Sequence, residues 1–154
     1  MKVWEEYFTQ GKVFGLDIDP SCAKYATNRT YIQIGSQIDE GAINHLKSLV
    51  PKFDIIIDDG SHVNEYTLKS FNMLWPHLAN HGIYIIEDLQ PSYIDLTPHI
   101  AGWPGMSYNT NLNANNKRED MDKFFLGKVK DMDFKQTDIL SMHFWSMICV
   151  IIKA

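Results

Sequence analysis

Two apolar stretches of the chain each end in a group of acidic residues. Residues 54–62 read DIIIDDGSH, and residues 83–88 read IYIIED. If both stretches are strands of one parallel sheet, their carboxyl ends meet at the edge where open α/β sheets bind ligands. Asp59, Glu87 and Asp88 would then lie together, and mutual repulsion of the three carboxylates would raise their pKa values. A divalent cation relieves that repulsion, and oxygen ligands without cysteine favour Mg²⁺, Ca²⁺ or Mn²⁺ over Zn²⁺.

The acids also have a second interpretation, as separate helix caps. An acid just before a helix stabilises its N-terminus, so the residue pattern alone leaves both interpretations open. His62 follows Asp59 by three residues, on the turn that leaves the strand. A histidine there, with an unperturbed pKa of about 6.5, is suited to take a proton from a substrate held at the metal. The other histidines have no comparable setting, and we expect them to be exposed or hydrogen-bonded.

One residue at the end of an earlier predicted strand is a candidate for binding a nucleotide-type ligand. Asp17 closes an apolar stretch, and an acid at this place commonly hydrogen-bonds ribose hydroxyls. The alternative for Asp17 is a helix cap ahead of Pro20. Ser36 and Gln37 end the next predicted strand, and by themselves they are ordinary turn residues.

Strands and helices alternate along most of the chain, and two strands close it. This order predicts an α/β sheet with an antiparallel hairpin at its end. The continuous apolar run FDIIID predicts a parallel strand that is buried on both faces. Strands are predicted at 12–19, 30–37, 53–58, 83–88, 128–134 and 140–154, with a KQTD turn between the last two. Helices are predicted from Pro20, over 39–50 with Asp39 as cap, over 63–79 with a kink or end at Pro76, and over 116–127 ending at Gly127; 97–115 is a predicted loop.

Composition limits the classes of partner. The chain has 154 residues, which suits one domain, and its net charge of −5 argues weakly against nucleic acid or anionic membrane as a partner. The sequence contains no run of about 20 apolar residues. Met1 is followed by the charged amphipathic stretch KVWEEYF, which we do not expect to be a signal peptide. Its two cysteines are far apart, which predicts reduced, buried thiols in a cytoplasmic protein.

The segments taken together resemble class I S-adenosylmethionine-dependent methyltransferases. The metal-dependent sugar O-methyltransferases of macrolide biosynthesis, the macrocin and mycinamicin group, are the most similar, and cephalosporin hydroxylase-like proteins share the pattern. DDGSH followed about 25 residues later by EDL is a specific combination. The resemblance covers most of residues 3–96 and 128–153. It is carried by GLDIDP, IGSQ, FDIIIDDGSH, LWPHLANHGIYIIEDL and the closing ILSMHFWSMICVIIKA.

The resemblance implies a Rossmann-like sheet, a role for each candidate residue, and a reaction. S-adenosylmethionine and Mg²⁺ are the implied cofactors, and the implied substrate is a small hydroxylated molecule such as a sugar. Mg²⁺ would hold two neighbouring hydroxyls, and the oxygen that loses its proton would attack the methyl carbon in line. The implied Mg²⁺ ligands are Asp59, Glu87 and Asp88, the general base is His62, the ribose-binding acid is Asp17, the adenine-side loop holds Ser36 and Gln37, and Asp58 lies near the methionine moiety.

The sequence departs from the family pattern at its beginning. The family places a strand and a Gly-rich turn, close to E-x-G-x-x-x-G, before the strand that ends at Asp17; here KVWEEYFTQGK resembles the end of the intervening helix. We therefore expect one methyltransferase-like domain over 1–154 that lacks the usual first strand. A sheet without that strand exposes apolar edges, which predicts a homo-oligomer or a rearranged sheet. The segment 97–117, with Trp103 and Tyr108, is either a substrate lid or a surface loop.

Three other interpretations compete with methyl transfer: an incomplete domain, a hydrolase and an iron oxygenase. An incomplete domain would keep the metal site and bind no cofactor. A metal-dependent hydrolase would need an additional nucleophile or a phosphate-binding loop, neither of which the sequence offers. An iron oxygenase would need two histidines and one carboxylate at the metal, whereas these motifs offer one histidine and three carboxylates.

Overall fold

The computed structural model describes residues 2–92 and 116–154. The chain divides into two compact units, Met1–Pro51 and Lys52–Ala154. The predicted loop over 97–115, with Trp103 and Tyr108, lies outside the described residues.

The first unit is a parallel strand pair with helices. Strand β1 (Val13–Asp17) pairs with β2 (Thr30–Ile34) so that Asp17 lies opposite Ile34. Helix α2 begins where predicted, because the Asp39 carboxylate accepts hydrogen bonds from the backbone N–H groups of Gly41 and Ala42. The predicted helix from Pro20 is a short 3-10 helix. The elements are α1 (Lys2–Tyr7), β1 (Val13–Asp17), the 3-10 helix (Pro20–Tyr25), β2 (Thr30–Ile34) and α2 (Glu40–Ser48).

The second unit is built on a four-stranded sheet in the order β3-β4-β6-β5. Strands β3 and β4 are parallel, and β6 runs antiparallel to both β4 and β5. Parallel pairs followed by an antiparallel hairpin confirm the predicted α/β class. The elements are β3 (Phe53–Asp58), α3 (Asn64–Leu74), a 3-10 helix (Trp75–His77), β4 (Leu78–Ile86), α4 (Arg118–Asp133), β5 (Ile139–Trp145) and β6 (Ile148–Lys153).

Strand β3 is less buried than its composition predicts. It lies at one edge of the four-stranded sheet, where β4 is its one neighbouring strand among the described residues. Ile56 belongs to the core, whereas Asp54 is exposed and Ile55 keeps 39% of its surface accessible. The prediction of burial on both faces is therefore wrong, because an apolar run does not distinguish an edge strand from a central one.

The end of the chain differs from prediction in two places. Helix α4 continues through Gly127, so the strand predicted over 128–134 is wrong. Met121 and Phe125 are buried one turn apart on the helix, and Met132 packs against the same core two turns after Phe125. This is a helical spacing that a predicted break at Gly127 hides. The predicted strand over 140–154 is in fact the whole hairpin. Its turn contains Met147 at φ 67, without a glycine to mark it.

The core of the second unit is aromatic. The Phe71 ring stacks on Trp75 at 5.0 Å between centroids and meets Tyr84 edge-on at 4.9 Å. Cys149 is fully buried, and its burial raises the pKa of the thiol to about 12. Cys22 is free but only half-buried, so the expectation of two buried thiols holds for Cys149 alone. No helix within the described ranges is both long enough and apolar enough to cross a bilayer.

Lys153 is buried beside the start of β4. We call this end of the sheet, where β3 and β4 begin, the amino edge. Lys153 donates hydrogen bonds from Nζ to the carbonyls of Trp75 at 3.0 Å and Leu78 at 3.2 Å. Its charge faces Asp138, with Nζ 3.3 Å from Oδ2. Trp75 completes the group by donating from Nε1 to Asp138 Oδ1 at 2.7 Å.

Candidate active site

The opposite, carboxyl edge of the sheet carries the predicted acids. Strand β3 delivers Asp59 and His62 on the turn that follows it, and β4 delivers Glu87 and Asp88. The two strand ends are joined directly, since the Glu87 N–H donates to the carbonyl of Asp58 at 3.0 Å. The sequence expectation that parallel strands bring these residues to one edge is thus met within the second unit.

Three of these side chains meet around one point. His62 Nε2 lies 3.9 Å from Asp59 Oδ1 and 3.8 Å from Asp88 Oδ2. One ligand atom from each of the three residues lies within 4.8 Å of the others. The side chains remain accessible, with 25% of the His62 surface and about half of each carboxylate surface exposed. This group, Asp59, His62 and Asp88, can receive a ligand from solution.

Glu87 lies outside that group of three but shares its electrostatic field. Burial raises the pKa of Glu87, and the charges of Asp59 and Asp88 raise it further. Burial also raises the pKa of Asp59; His62 opposes this, and the charge of Asp88 adds to it. At this end of the sheet, burial is the main cause that disfavours the charged forms of Asp59 and Glu87, and the mutual repulsion of the acids adds to it.

Two site residues adopt an uncommon backbone conformation. His62 has φ 56 and Asp88 has φ 50, both in the left-handed region. A residue with a Cβ enters this region at an energetic cost, so it persists only where the surrounding contacts hold it. The strain lies at the two residues whose side chains face each other at 3.8 Å. Such strain is typical of functional sites.

Asp58 lies deeper than its two neighbours. Its Oδ2 accepts hydrogen bonds from the Ser70 hydroxyl and, at 3.4 Å, from the Tyr84 hydroxyl. Burial raises the pKa of Asp58, and these hydrogen bonds oppose the shift. The contacts anchor the end of β3 in the core. A contact between Asp58 and the methionine part of a cofactor stays a prediction.

The predicted nucleotide-binding residues lie in the first unit, at the carboxyl ends of its two strands. The backbone N–H of Gly35 donates to the Asp17 carbonyl at 2.9 Å, which joins these ends. The Asp17 carboxylate is exposed and accepts a hydrogen bond from the Asp19 N–H at 2.8 Å. Ser36 Oγ accepts one from the Ile38 N–H at 3.4 Å. Gln37 is half-buried beside it.

Comparisons with known proteins agree with this arrangement. A family model described as a methyltransferase domain matches residues 4–89, more than half of the chain. The chain belongs to this methyltransferase family.

Two relatives and one solved structure show which methyltransferases this chain resembles. Demethylmacrocin O-methyltransferase of Streptomyces fradiae is 37% identical over 68% of this chain and 24% of its own length. Mycinamicin VI 2''-O-methyltransferase of Micromonospora griseorubida is 38% identical over 68% of this chain and 24% of its own length. The structure of MycE methyltransferase in complex with Mg, SAH and mycinamycin VI superposes with a TM-score of 0.73 at 25% identity, over 99% of this chain and 39% of that one.

These comparisons confirm the predicted family and its α/β fold. The chain spans about a quarter of the length of the relatives that it matches.

Sequence reasoning missed two residues that support the candidate site. Gln90 donates from Nε2 to Asp88 Oδ1 at 3.2 Å, while its Oε1 is buried without a hydrogen-bond partner in the described part of the chain. Asn116 donates from Nδ2 to the His62 carbonyl at 2.8 Å. Position next to the EDL motif is a signal that would have found Gln90. Asn116 has no such signal, because it lies 54 residues from His62.

Proposed function

We propose that this chain is the catalytic part of an S-adenosylmethionine-dependent, Mg²⁺-assisted O-methyltransferase. Its substrate would be a hydroxyl group of a sugar or another small polar metabolite. The observation that carries the proposal is the meeting of Asp59, His62 and Asp88 at the carboxyl edge, with their ligand atoms within 4.8 Å of one another. The named relatives and the MycE complex support the reaction class.

The donor set fits a hard divalent cation. Asp59, Glu87 and Asp88 offer carboxylate oxygens, which Mg²⁺ prefers. Burial raises the pKa values of Asp59 and Glu87, and the charges of neighbouring acids raise them further; a bound cation would favour the charged carboxylates against both effects. We assign these three acids as the residues that would hold Mg²⁺. When bound, the ion would lower the pKa of a substrate hydroxyl and orient it.

His62 is the residue to which we assign proton transfer. Its imidazole lies between the acids of both strands and keeps a quarter of its side-chain surface accessible. The substrate O–H bond would break with its proton passing to His62, and the oxygen would form a bond to the methyl carbon. The bond between that carbon and the sulfonium sulfur would break, leaving S-adenosylhomocysteine. Asp58, by anchoring the end of β3 through Ser70, would fix the turn from which His62 acts.

Cofactor contacts are assigned to the first unit. Asp17 is an exposed acid at the end of β1, and its carboxylate suits the ribose hydroxyls. Ser36 and Gln37 follow β2 and are assigned to the adenine side. The free cysteines agree with a cytoplasmic setting.

Self-association is a further part of the proposal. Helix α1 exposes large apolar side chains, among them Val3 at 71% and Tyr7 at 75%. Exposed apolar surface of this kind is typical of protein contacts. Light scattering at increasing concentration tests it, and a monomer throughout would contradict it.

Calorimetric titration of S-adenosylhomocysteine tests the proposed function, first with Mg²⁺ and then with a chelator. We expect micromolar cofactor binding, and separate Mg²⁺ binding that Asp59→Ala removes. Mg²⁺ binding without cofactor binding, in a sample shown to be folded, would favour an incomplete domain. Binding of neither would contradict the proposal.

A further inference from the structure

A single buried amide joins the segments that carry the active-site acids and histidine. Asn116 is 5% exposed. Its Nδ2 donates to the carbonyls of His62 at 2.8 Å and Pro91 at 3.3 Å, and its Oδ1 accepts from the backbone N–H of Asn64 at 3.0 Å. Both donors and the acceptor of this amide are therefore in use.

The partners of Asn116 belong to different parts of the site. The His62 carbonyl lies on the turn after β3, which also carries Asp59. The Pro91 carbonyl closes the segment that carries Glu87 and Asp88. Asn116 thus bridges the two segments through their backbone carbonyls, while the side chains of His62 and Asp88 face each other.

The His62 backbone needs a holding contact, because it sits at φ 56. In this region a peptide group returns to ordinary conformations unless other contacts fix it. The hydrogen bond to the His62 carbonyl fixes the orientation of that peptide group. Because this peptide group is bonded to the His62 Cα, fixing it restricts the directions in which the imidazole can point.

We propose that Asn116 is a positioning residue that sets the separation of the two acid-bearing segments and the backbone of His62. The inference rests on the proposed function, since it concerns the same Mg²⁺ site. Partners that orient metal ligands without touching the metal affect affinity strongly: their loss typically costs about 10- to 100-fold.

A purely structural role is the competing explanation. Val63, at the N-cap of α3, makes no side-chain capping bond, so Asn116 Oδ1 serves the first N–H of that helix in its place. This capping uses the oxygen of the amide, whereas positioning uses its nitrogen. The two roles can therefore be separated by changing one atom of the side chain.

Asn116→Asp makes that change. The carboxylate keeps the acceptor for the Asn64 N–H and loses both donors to the carbonyls of His62 and Pro91. Its added negative charge favours helix capping and attracts Mg²⁺, so neither effect explains a loss of Mg²⁺ affinity. Asn64→Ala is the matched control: Asn64 is also 5% exposed, and within the described residues the hydrogen bond that its truncation removes is the one from Nδ2 to the Lys117 carbonyl.

Mg²⁺ titration by calorimetry, with the thermal midpoint measured on each sample, provides the test. We expect Asn116→Asp to weaken Mg²⁺ binding by about 10-fold or more, and Asn64→Ala to lower the midpoint with affinity within about 3-fold of the unaltered chain. Asn116→Ser, which can donate to only one carbonyl, should weaken binding as well and serves if the first variant does not fold.

Equal Mg²⁺ affinity in Asn116→Asp and the unaltered chain would overturn the inference and leave the proposed function standing. An equal loss in Asn64→Ala would also overturn it, because the effect would then follow from packing alone. Absence of Mg²⁺ binding in the unaltered, folded chain would overturn the proposed function together with this inference.

Discussion

The pKa values of acidic side chains shift in opposite directions at the amino and carboxyl edges of the four-stranded sheet. At the amino edge, burial pushes the pKa of Asp138 upward, but hydrogen bonds from Trp75 and Lys153 and the charge of Lys153 outweigh it and lower the pKa. At the carboxyl edge, burial raises the pKa values of Asp59 and Glu87, neighbouring acids add to the rise, and His62 opposes it without cancelling it. At the first edge the partners within the chain outweigh the cost of burial, and at the second edge they do not.

This difference separates structural from functional charge. A carboxylate that is paired in the folded state stabilises that state. Carboxylates that repel one another reduce stability, and so does the left-handed backbone of His62 and Asp88. The pairing of Asp138 with a buried lysine at one edge, against acids that lack such a lysine among the described residues at the other, supports the proposed cation site at the carboxyl edge.

The largest expected effect follows from removing an acid at the carboxyl edge. Asp59→Ala should abolish Mg²⁺ binding and methyl transfer, because it removes an oxygen ligand from the group that meets at 4.8 Å. Calorimetry with Mg²⁺ and an assay for S-adenosylhomocysteine would measure both. Asp133→Ala, at an exposed acid that ends α4, is the control and should change neither. Unchanged Mg²⁺ affinity in Asp59→Ala would remove this residue from the ligand set.

Removing the histidine should affect rate rather than binding. His62→Ala should lower turnover by roughly 10²- to 10⁴-fold, because the proton of the substrate hydroxyl loses its acceptor. Affinities for Mg²⁺ and S-adenosylhomocysteine should stay close to those of the unaltered chain. His143→Ala is the control, at an exposed imidazole on β5. If His62→Ala lost binding and rate equally, His62 would be structural.

Much of the carboxyl edge could be predicted from the sequence, because its logic is local. An apolar run identifies each strand, parallel pairing brings the strand ends together, and the DDGSH and EDL motifs follow directly. The group formed by Asp138, Lys153 and Trp75 at the amino edge had no such signal in the sequence. Asp138 and Trp75, for example, are 63 residues apart. The contact between Asn116 and His62 could not be predicted for the same reason. Contacts between distant segments depend on packing, which a single sequence does not display.

The errors in the fold also have a physical cause. The sequence predicts a helix end at Gly127, yet the helix continues through it. A Cβ added at this position would have no atom within 4 Å, so no close contact requires a glycine here. A glycine inside a helix costs only about 1 kcal/mol, which core contacts by Phe125 and Met132 offset. Met147 makes the hairpin turn at φ 67 without glycine, so the turn had no sequence marker.

A smaller effect is expected at the amino edge, and on stability alone. Asp138→Asn keeps an acceptor for Trp75 but leaves the buried Lys153 ammonium without its countercharge. It should lower the free energy of unfolding by about 1 to 2 kcal/mol, since Asp138 is half exposed and solvent screens the pair. Urea unfolding would measure the loss. The loss should shrink when Lys153→Met is already present; simple additivity would contradict the pairing.

The same residue gives a pH dependence with a definite sign. Because the folded state lowers the pKa of Asp138, its contribution is fully present above the unfolded value of about 3.9. It is lost as the pH falls through the lowered folded value. The difference in unfolding free energy between the unaltered chain and Asp138→Asn should be constant near neutral pH and shrink below about pH 4. A difference that grows in acid would reverse the assignment.

The smallest effect should have the opposite sign. The folded state raises the pKa of Glu87, so above that pKa its charged form reduces stability. In the presence of a chelator, Glu87→Gln should therefore raise the thermal midpoint, on the order of 1 °C. Glu119→Gln is the matched control: Glu119 lies in the first turn of α4, where its charge favours the helix, so its loss should not raise the midpoint. Excess Mg²⁺ should then stabilise the unaltered chain more than Glu87→Gln and reverse their order, because a ligand stabilises the state that binds it better. A midpoint that falls in Glu87→Gln under chelation would mean that Glu87 is compensated like Asp138, and the contrast between the two edges would then rest on Asp59 alone.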